Sequence, residues 1–143
     1  AQVEVETRFA GACVLGDPIQ IQQVLVNLIR NATEAMEGQP VRRLTIWAEH
    51  QDASCRIHVR DTGTGVPPHI VERLFAPFTT TKADGLGVGL MISRTILEAH
   101  RGSIGLLESG SQGTTMFFDL PAPTRHGSAI PPSARPSRDA AAP

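Results

Sequence analysis

Two alternating segments lie almost end to end in this chain, and they constrain its fold more than any other feature. Leu44, Ile46 and Ala48 alternate with Thr45, Trp47 and Glu49; a few residues later Cys55, Ile57 and Val59 alternate with Arg56, His58 and Arg60. Period-two patterning of this kind marks half-buried strands. A connection so short cannot carry the dozen or more residues that a parallel crossover needs, so the strands pair antiparallel. Around them, Asp17-Pro18 reads as a helix start, with Asp as N-cap and Pro at the first helical position. Ile21, Val24, Leu25, Leu28, Ala32 and Ala35 then recur at helical spacing, giving a helix over about 18–36 that Gly38 can end. A short helix fits 69–74, and Leu90, Ile92, Ile96, Leu97 and Ala99 support another, closed by Gly102. Ile104 to Leu107 and Thr114 to Leu120 read as a final hairpin. Strands, helix, strand pair, helix and hairpin make an α+β two-layer sandwich, with a mixed, mainly antiparallel sheet and helices on one face, rather than a doubly wound sheet.

Composition narrows the function classes. The 143 residues allow one ordinary domain. A formal net charge of -1 gives no electrostatic footprint for nucleic acid or an anionic membrane. No apolar run approaches the roughly 18 residues of a membrane span, and the N-terminus lacks the features of a signal peptide. Cys13 and Cys55 lie in apolar-alternating segments without CxxC spacing, which reads as two reduced core cysteines. The expectation is a cytoplasmic globular domain over 1–121. From Pro121 the chain holds six of its eleven prolines and one large apolar residue, Ile130, so 122–143 reads as a disordered tail.

Four clusters carry chemistry. Asn27 and Asn31 share a helix face with Gln20 and Gln23, about 100° from the apolar stripe. Amide oxygens suit Mg²⁺, which keeps most of its waters and takes one or two protein oxygens beside phosphates. Taken alone, a solvated face or amides tying down a loop explains the pair better. Asp61-Thr62-Gly63-Thr64-Gly65 follows a strand directly. An ionised Asp only accepts hydrogen bonds, so it would favour adenine's exocyclic amine and penalise guanine's oxygen; an ordinary Asp-Gly turn is the plain alternative. Gly85-Leu86-Gly87-Val88-Gly89-Leu90 opens a helix, where unpaired N–H groups and the helix dipole favour phosphate. Glu108, about twenty residues on, raises a dinucleotide-binding fingerprint. The polar residues Thr79 to Asp84 where a strand is needed, and Leu90 at the third glycine position, reject it; no GK[ST] follows, so a P-loop is rejected too. Gly113-Thr114-Thr115 enters the last strand, where a hydroxyl could reach a base, although a plain hairpin entry explains it equally well.

Taken in order, these clusters resemble the boxes of the histidine-kinase ATP-binding domain, in the GHKL superfamily of gyrase, MutL and their relatives. Asn27 to Ala32 resembles its N box, Asp61 to Gly65 its first glycine box, and Leu74 to Lys82 its F box. Gly85 to Gly89 is similar to its second glycine box, and Gly113 to Pro121 to its last. The resemblance covers residues 1–121, with wording nearest the FixL-type and nitrogen-regulatory sensor kinases. Met116 departs from the family's usual Phe, and a thioether can fill that space. The resemblance implies a Bergerat ATP-binding fold with ATP and Mg²⁺ as cofactors. It implies Asn31 and Asn27 at the metal, Asp61 on the adenine amine and Gly65 beneath the ring, with Gly63 and Thr114 beside them. Gly85, Leu86, Gly87, Val88, Gly89 and Leu90 would face the phosphates. Residues 66–84 would be a mobile lid, with Phe75 and Phe78 as apolar anchors and Lys82, the chain's only lysine, reaching phosphate.

The ATP-hydrolysing branches of this superfamily carry a Glu one turn before the metal-binding Asn, as general base. Asn27 stands there, and an amide cannot accept that proton, so γ-phosphate transfer to a protein side chain is expected in place of hydrolysis. The family's acceptor is a histidine followed by an acidic residue. His50, His58, His69, His100 and His126 are followed by Gln, Val, Ile, Arg and Gly. The chain is therefore expected to be a piece of a longer kinase, acting on a separate dimerisation and phosphoacceptor domain with a response regulator downstream. Two other readings share the motifs: a non-catalytic ATP-binding switch module, and an anti-sigma-type serine kinase of the same fold.

Overall fold

The structure is a computed structural model that describes residues 2–76 and 88–123. The elements run β1 (Glu4–Arg8), α1 (Pro18–Ala35), β2 (Arg43–Gln51), β3 (Ser54–Arg60), α2 (Pro68–Val71), α3 (Gly89–Ala99), β4 (Ser103–Gly110) and β5 (Gly113–Pro121). The five strands form one sheet in the order β1-β2-β3-β5-β4. β1 pairs parallel to β2 across the α1 crossover, and every other pairing is antiparallel. None of the described helices is long and apolar enough to cross a membrane.

Alternation decides which side of the sheet is covered. Leu44, Ile46, Cys55, Ile57, Val59, Phe118 and Leu120 point to one face, where they form a single core with Val24, Leu28 and Ala32 of α1 and Leu97 of α3. The opposite face carries no helix of that core. Across it Trp47 stacks on its cross-strand partner His58 (centroids 4.5 Å apart). Beside them Arg56 lies 4.0 Å above the Phe117 ring and grips Asp119 through two bonds of 2.7 and 2.9 Å.

α1 begins where the sequence indicates. Asp17 Oδ1 accepts from the Ile19 and Gln20 amides, satisfying two of the first-turn donors that a helix leaves unpaired. At its other end Gly38 adopts a left-handed φ of 74°. α3 ends differently from expectation. Arg101 takes the left-handed conformation (φ 61°), and the Gly102 amide reaches back to the Leu97 carbonyl at 2.7 Å while Arg101 bonds Glu98, a Schellman closure. Gly102 is needed for a different reason: a Cβ there would collide with the Asp119 carbonyl on β5.

Two further expectations are corrected. Cys55 is fully buried, but Cys13 is exposed, because Ala12 and Val14 take the inward positions of that segment. Packing also runs one residue past the expected domain end: Ala122 is 5% exposed, joins the core, and its amide donates to the Ala53 carbonyl at 2.9 Å. The remainder of the expected tail, from 124, lies outside the described residues.

Candidate functional site

β3 ends at Arg60 and the chain turns at once. The Asp61 amide donates to the Thr114 carbonyl at 2.9 Å, carrying the β3–β5 pairing one residue further. The Asp61 side chain is thereby drawn inside, 5% exposed. Its Oδ1 accepts from the amides of Gly63 (2.8 Å) and Thr114 (3.3 Å). Both donors act on one oxygen and leave Oδ2 to other partners. Burial pushes the Asp61 carboxyl above the usual carboxylate range, and the amides of Gly63 and Thr114 pull it back towards ionisation. A buried acid whose orientation is fixed by backbone, with one oxygen uncommitted by it, is built to receive a hydrogen-bond donor.

The glycines around Asp61 earn their place by contact with the protein's own backbone. A Cβ on Gly63 would collide with the Ala35 carbonyl at the end of α1, one on Gly65 (φ 83°) with the Gly110 carbonyl, and one on Gly113 (φ 126°) with the Asp61 carbonyl. Thr114 is buried, and its hydroxyl lies 3.2 Å from that of Ser109, which also accepts from the Val66 amide at 2.7 Å. Thr62 anchors the turn on the far side, donating to the Val41 carbonyl and accepting from the Arg43 amide, both at 2.9 Å. The turn is thus bonded to β2, β4 and β5 and packed on the end of α1.

A second group forms at the start of α3. Val88 is the N-cap, and among the described residues no side chain bonds to the first turn, whose N–H groups carry the positive end of the dipole. Gly89 and Leu90 open the helix. Asn27, on α1, donates through Nδ2 to the Gly89 carbonyl (3.2 Å) and the Ser93 hydroxyl (3.1 Å). The amide therefore does tie down another element, as one reading of the pair allowed. Asn31 stands one turn further along the same face of α1. Asn27 precedes Ala35 by eight residues, so the two groups are separated by about 12 Å along α1.

Phe75 is placed elsewhere. It lines a groove with Arg94 and Glu98 of α3 and Gly102 to Ile104 leading into β4, and the Arg94 guanidinium lies 6.0 Å from its ring centroid. Phe78, Lys82, Gly85, Leu86 and Gly87 lie outside the described residues. Ser93 and Ser109 are the contacts that sequence reasoning missed. Ser93 carried a readable signal: it sits one turn before Leu97 on the buried face of α3, and both are fully buried.

The family model described as histidine kinase-, DNA gyrase B- and HSP90-like ATPase matches residues 16–124. The chain belongs to this family. The match takes in each described member of the two groups, from Asn27 to Thr114. Among relatives of the ATPase family, the sensor protein FixL of Bradyrhizobium diazoefficiens is 47% identical over 110 residues, which are 76% of this chain and 22% of FixL. The sensory histidine kinase/phosphatase NtrB of Salmonella typhimurium is 39% identical over 97 residues, 62% of this chain and 28% of NtrB. The chain thus spans 22% and 28% of the length of these two sensor kinases. Among solved structures, the catalytic domain of histidine kinase ThkA superposes with a TM-score of 0.73 at 32% identity, covering 84% of this chain and 79% of that one. Full-length ShkA in complex with AMPPNP gives a TM-score of 0.74 at 30% identity, covering 85% of this chain and 26% of that one. The α+β sandwich is therefore the fold of histidine-kinase catalytic domains.

Proposed function

We propose that this chain binds Mg-ATP along the α1 face and transfers the γ-phosphate to a histidine on a separate dimerisation and phosphoacceptor domain, with a response regulator downstream. The observation that carries the reading is Asp61: a buried carboxylate held by two backbone donors on Oδ1. Oδ2 would take the adenine amine, with Gly65 beneath the ring and Gly63 and Thr114 holding the acid in place. The start of α3, which has no capping side chain among the described residues, lies about 12 Å away along α1 and suits the phosphates at the other end of an extended ligand. Val88, Gly89 and Leu90 would meet them, together with Gly85, Leu86, Gly87 and Lys82 from the preceding segment. Phe75 and Phe78 would anchor that segment as a lid.

The donor chemistry fits Mg²⁺. Asn27 turns its nitrogen to α3, which turns Oδ1 away from that helix, and Asn31 follows one turn on; amide oxygens beside phosphates are what a hard, largely hydrated cation accepts. When bound, Mg²⁺ would neutralise phosphate charge. No carboxylate stands at position 27 to take a proton from water, which favours transfer over hydrolysis. The phosphoacceptor and the regulator come from the likeness to sensor kinases that are much longer than this chain, and a cytoplasmic setting from the composition.

The test supplies γ-labelled Mg-ATP and the separately folded phosphoacceptor domain of a FixL-type kinase. Acid-labile label on its histidine, reduced with Asp61→Asn at Mg-ATP concentrations below the weakened affinity, is the expected result. Acid-stable label on a serine would favour the anti-sigma-type kinase, and tight ATP binding without transfer would favour a nucleotide switch.

A further inference from the structure

Asn27 and Ser93 meet across the interface of α1 and α3, 66 residues apart in sequence. A backbone carbonyl can only accept, so the Asn27 atom facing the Gly89 carbonyl at 3.2 Å must be the amide nitrogen. That nitrogen has two hydrogens, and the second is directed to the Ser93 hydroxyl at 3.1 Å. Ser93 is fully buried, so no water stands ready to replace it. A Cβ built at Gly89 would lie in ordinary contact with the Asn27 amide carbon, 3.9 Å away, so the approach rests on the backbone carbonyl and not on the missing side chain.

We propose that Ser93 is a positioning residue of the nucleotide site: with the Gly89 carbonyl it locks the Asn27 amide, so that Nδ2 faces α3 and Oδ1 faces the metal-bound phosphates. The inference rests on the nucleotide-site reading above. Two consequences follow from one side chain. The oxygen offered to the cation is fixed in direction, and the first turn of α3, which offers its N–H groups to phosphate, is fastened to the helix that carries the amides. The same geometry gives the amide at 27 a purpose beyond the loss of a base. A glutamate there would bring a carboxylate against the Gly89 carbonyl, acceptor against acceptor, and could not fasten α3 in this way.

The experiment is calorimetric titration of the whole chain with Mg-ATP and with adenosine, in the parent, Ser93→Ala and Ser93→Thr. Loss of one buried hydrogen bond at the amide should weaken Mg-ATP by roughly three- to tenfold in Ser93→Ala. Adenosine, which reaches only the Asp61 end, should keep its affinity within about twofold, and Ser93→Thr, which retains the hydroxyl, should bind Mg-ATP like the parent. Equal losses for adenosine and Mg-ATP would mean that Ser93 only packs the helix, and no loss in either would mean that it positions nothing; both overturn the proposal while leaving the site reading intact. A parent chain that binds neither ligand would remove the site reading and this inference together. If Ser93→Ala does not fold, Ser93→Cys carries the same test, since a thiol is a weak acceptor in nearly the same space.

Discussion

Asp61 and Thr114 hold each other twice: the Asp61 amide donates to the Thr114 carbonyl at 2.9 Å, and the Thr114 amide donates back to the Asp61 carboxylate at 3.3 Å. The second bond turns a strand-pairing contact into a brace for a side chain. It requires β5 to start hard against the Asp61 backbone, and Gly113 provides that approach.

Gly113→Ala should therefore damage both fold and site. Its φ of 126° is strained for any side chain, and the added Cβ would strike the Asp61 carbonyl. A loss of at least about 2 kcal/mol in urea unfolding is expected. Gly110→Ala, three residues away, meets nothing within 4 Å and should stay within about 0.5 kcal/mol of the parent. Similar losses in both variants would dissociate the effect from the contact with Asp61.

The raised pKa of Asp61 has a sign that can be measured. Burial lifts the folded value above the unfolded one, so the folded state holds its proton more tightly. The stabilising effect of that proton is complete below the ordinary carboxylate range and is lost as pH rises through the folded value. Asp61→Asn keeps an oxygen for the Gly63 and Thr114 amides and removes the charge. Relative to the parent, its ligand-free melting temperature should rise between acid and neutral pH, and a difference independent of pH would contradict the burial argument.

His58 titrates with the opposite consequence. Burial lowers its pKa, with Arg56 adding to the effect and the Glu49 and Asp119 carboxylates opposing it; Nδ1 is buried without a hydrogen-bond partner among the described residues. The unfolded chain takes up the proton first, so stability is present above the ordinary imidazole range and is lost as pH falls through it towards the folded value. His58→Phe keeps a flat ring against Trp47. Thermal melts from neutral to mildly acid pH should fall less steeply in that variant than in the parent, and parallel curves would show that His58 is not responsible.

Much of this was legible in the sequence because it is written in local chemistry. Asp17-Pro18 and one apolar stripe place α1 to within a residue of Pro18–Ala35, and plain alternation places β2, β3 and their pairing. The glycines were legible as special but not for the reason they serve. Gly63, Gly65 and Gly113 are required by contacts with Ala35, Gly110 and Asp61, and all three partners are remote from their glycines in sequence. The same limit hid Ser93, whose partner lies on another helix. Cys13 was misplaced because alternation gives a period without saying which phase faces the core.

The most direct measurement is the affinity of the chain for Mg-ATP against Mg-GTP, in the parent and in Asp61→Asn. An ionised carboxylate accepts from adenine's amine and repels guanine's oxygen at the same position. The parent should prefer Mg-ATP by at least about tenfold, or 1.4 kcal/mol, and Asp61→Asn should bind Mg-ATP about tenfold more weakly with most of the preference gone. Equal affinity for the two nucleotides in the parent, or an unchanged preference in Asp61→Asn, would contradict the placement of the base at Asp61 and with it the functional reading built on that residue.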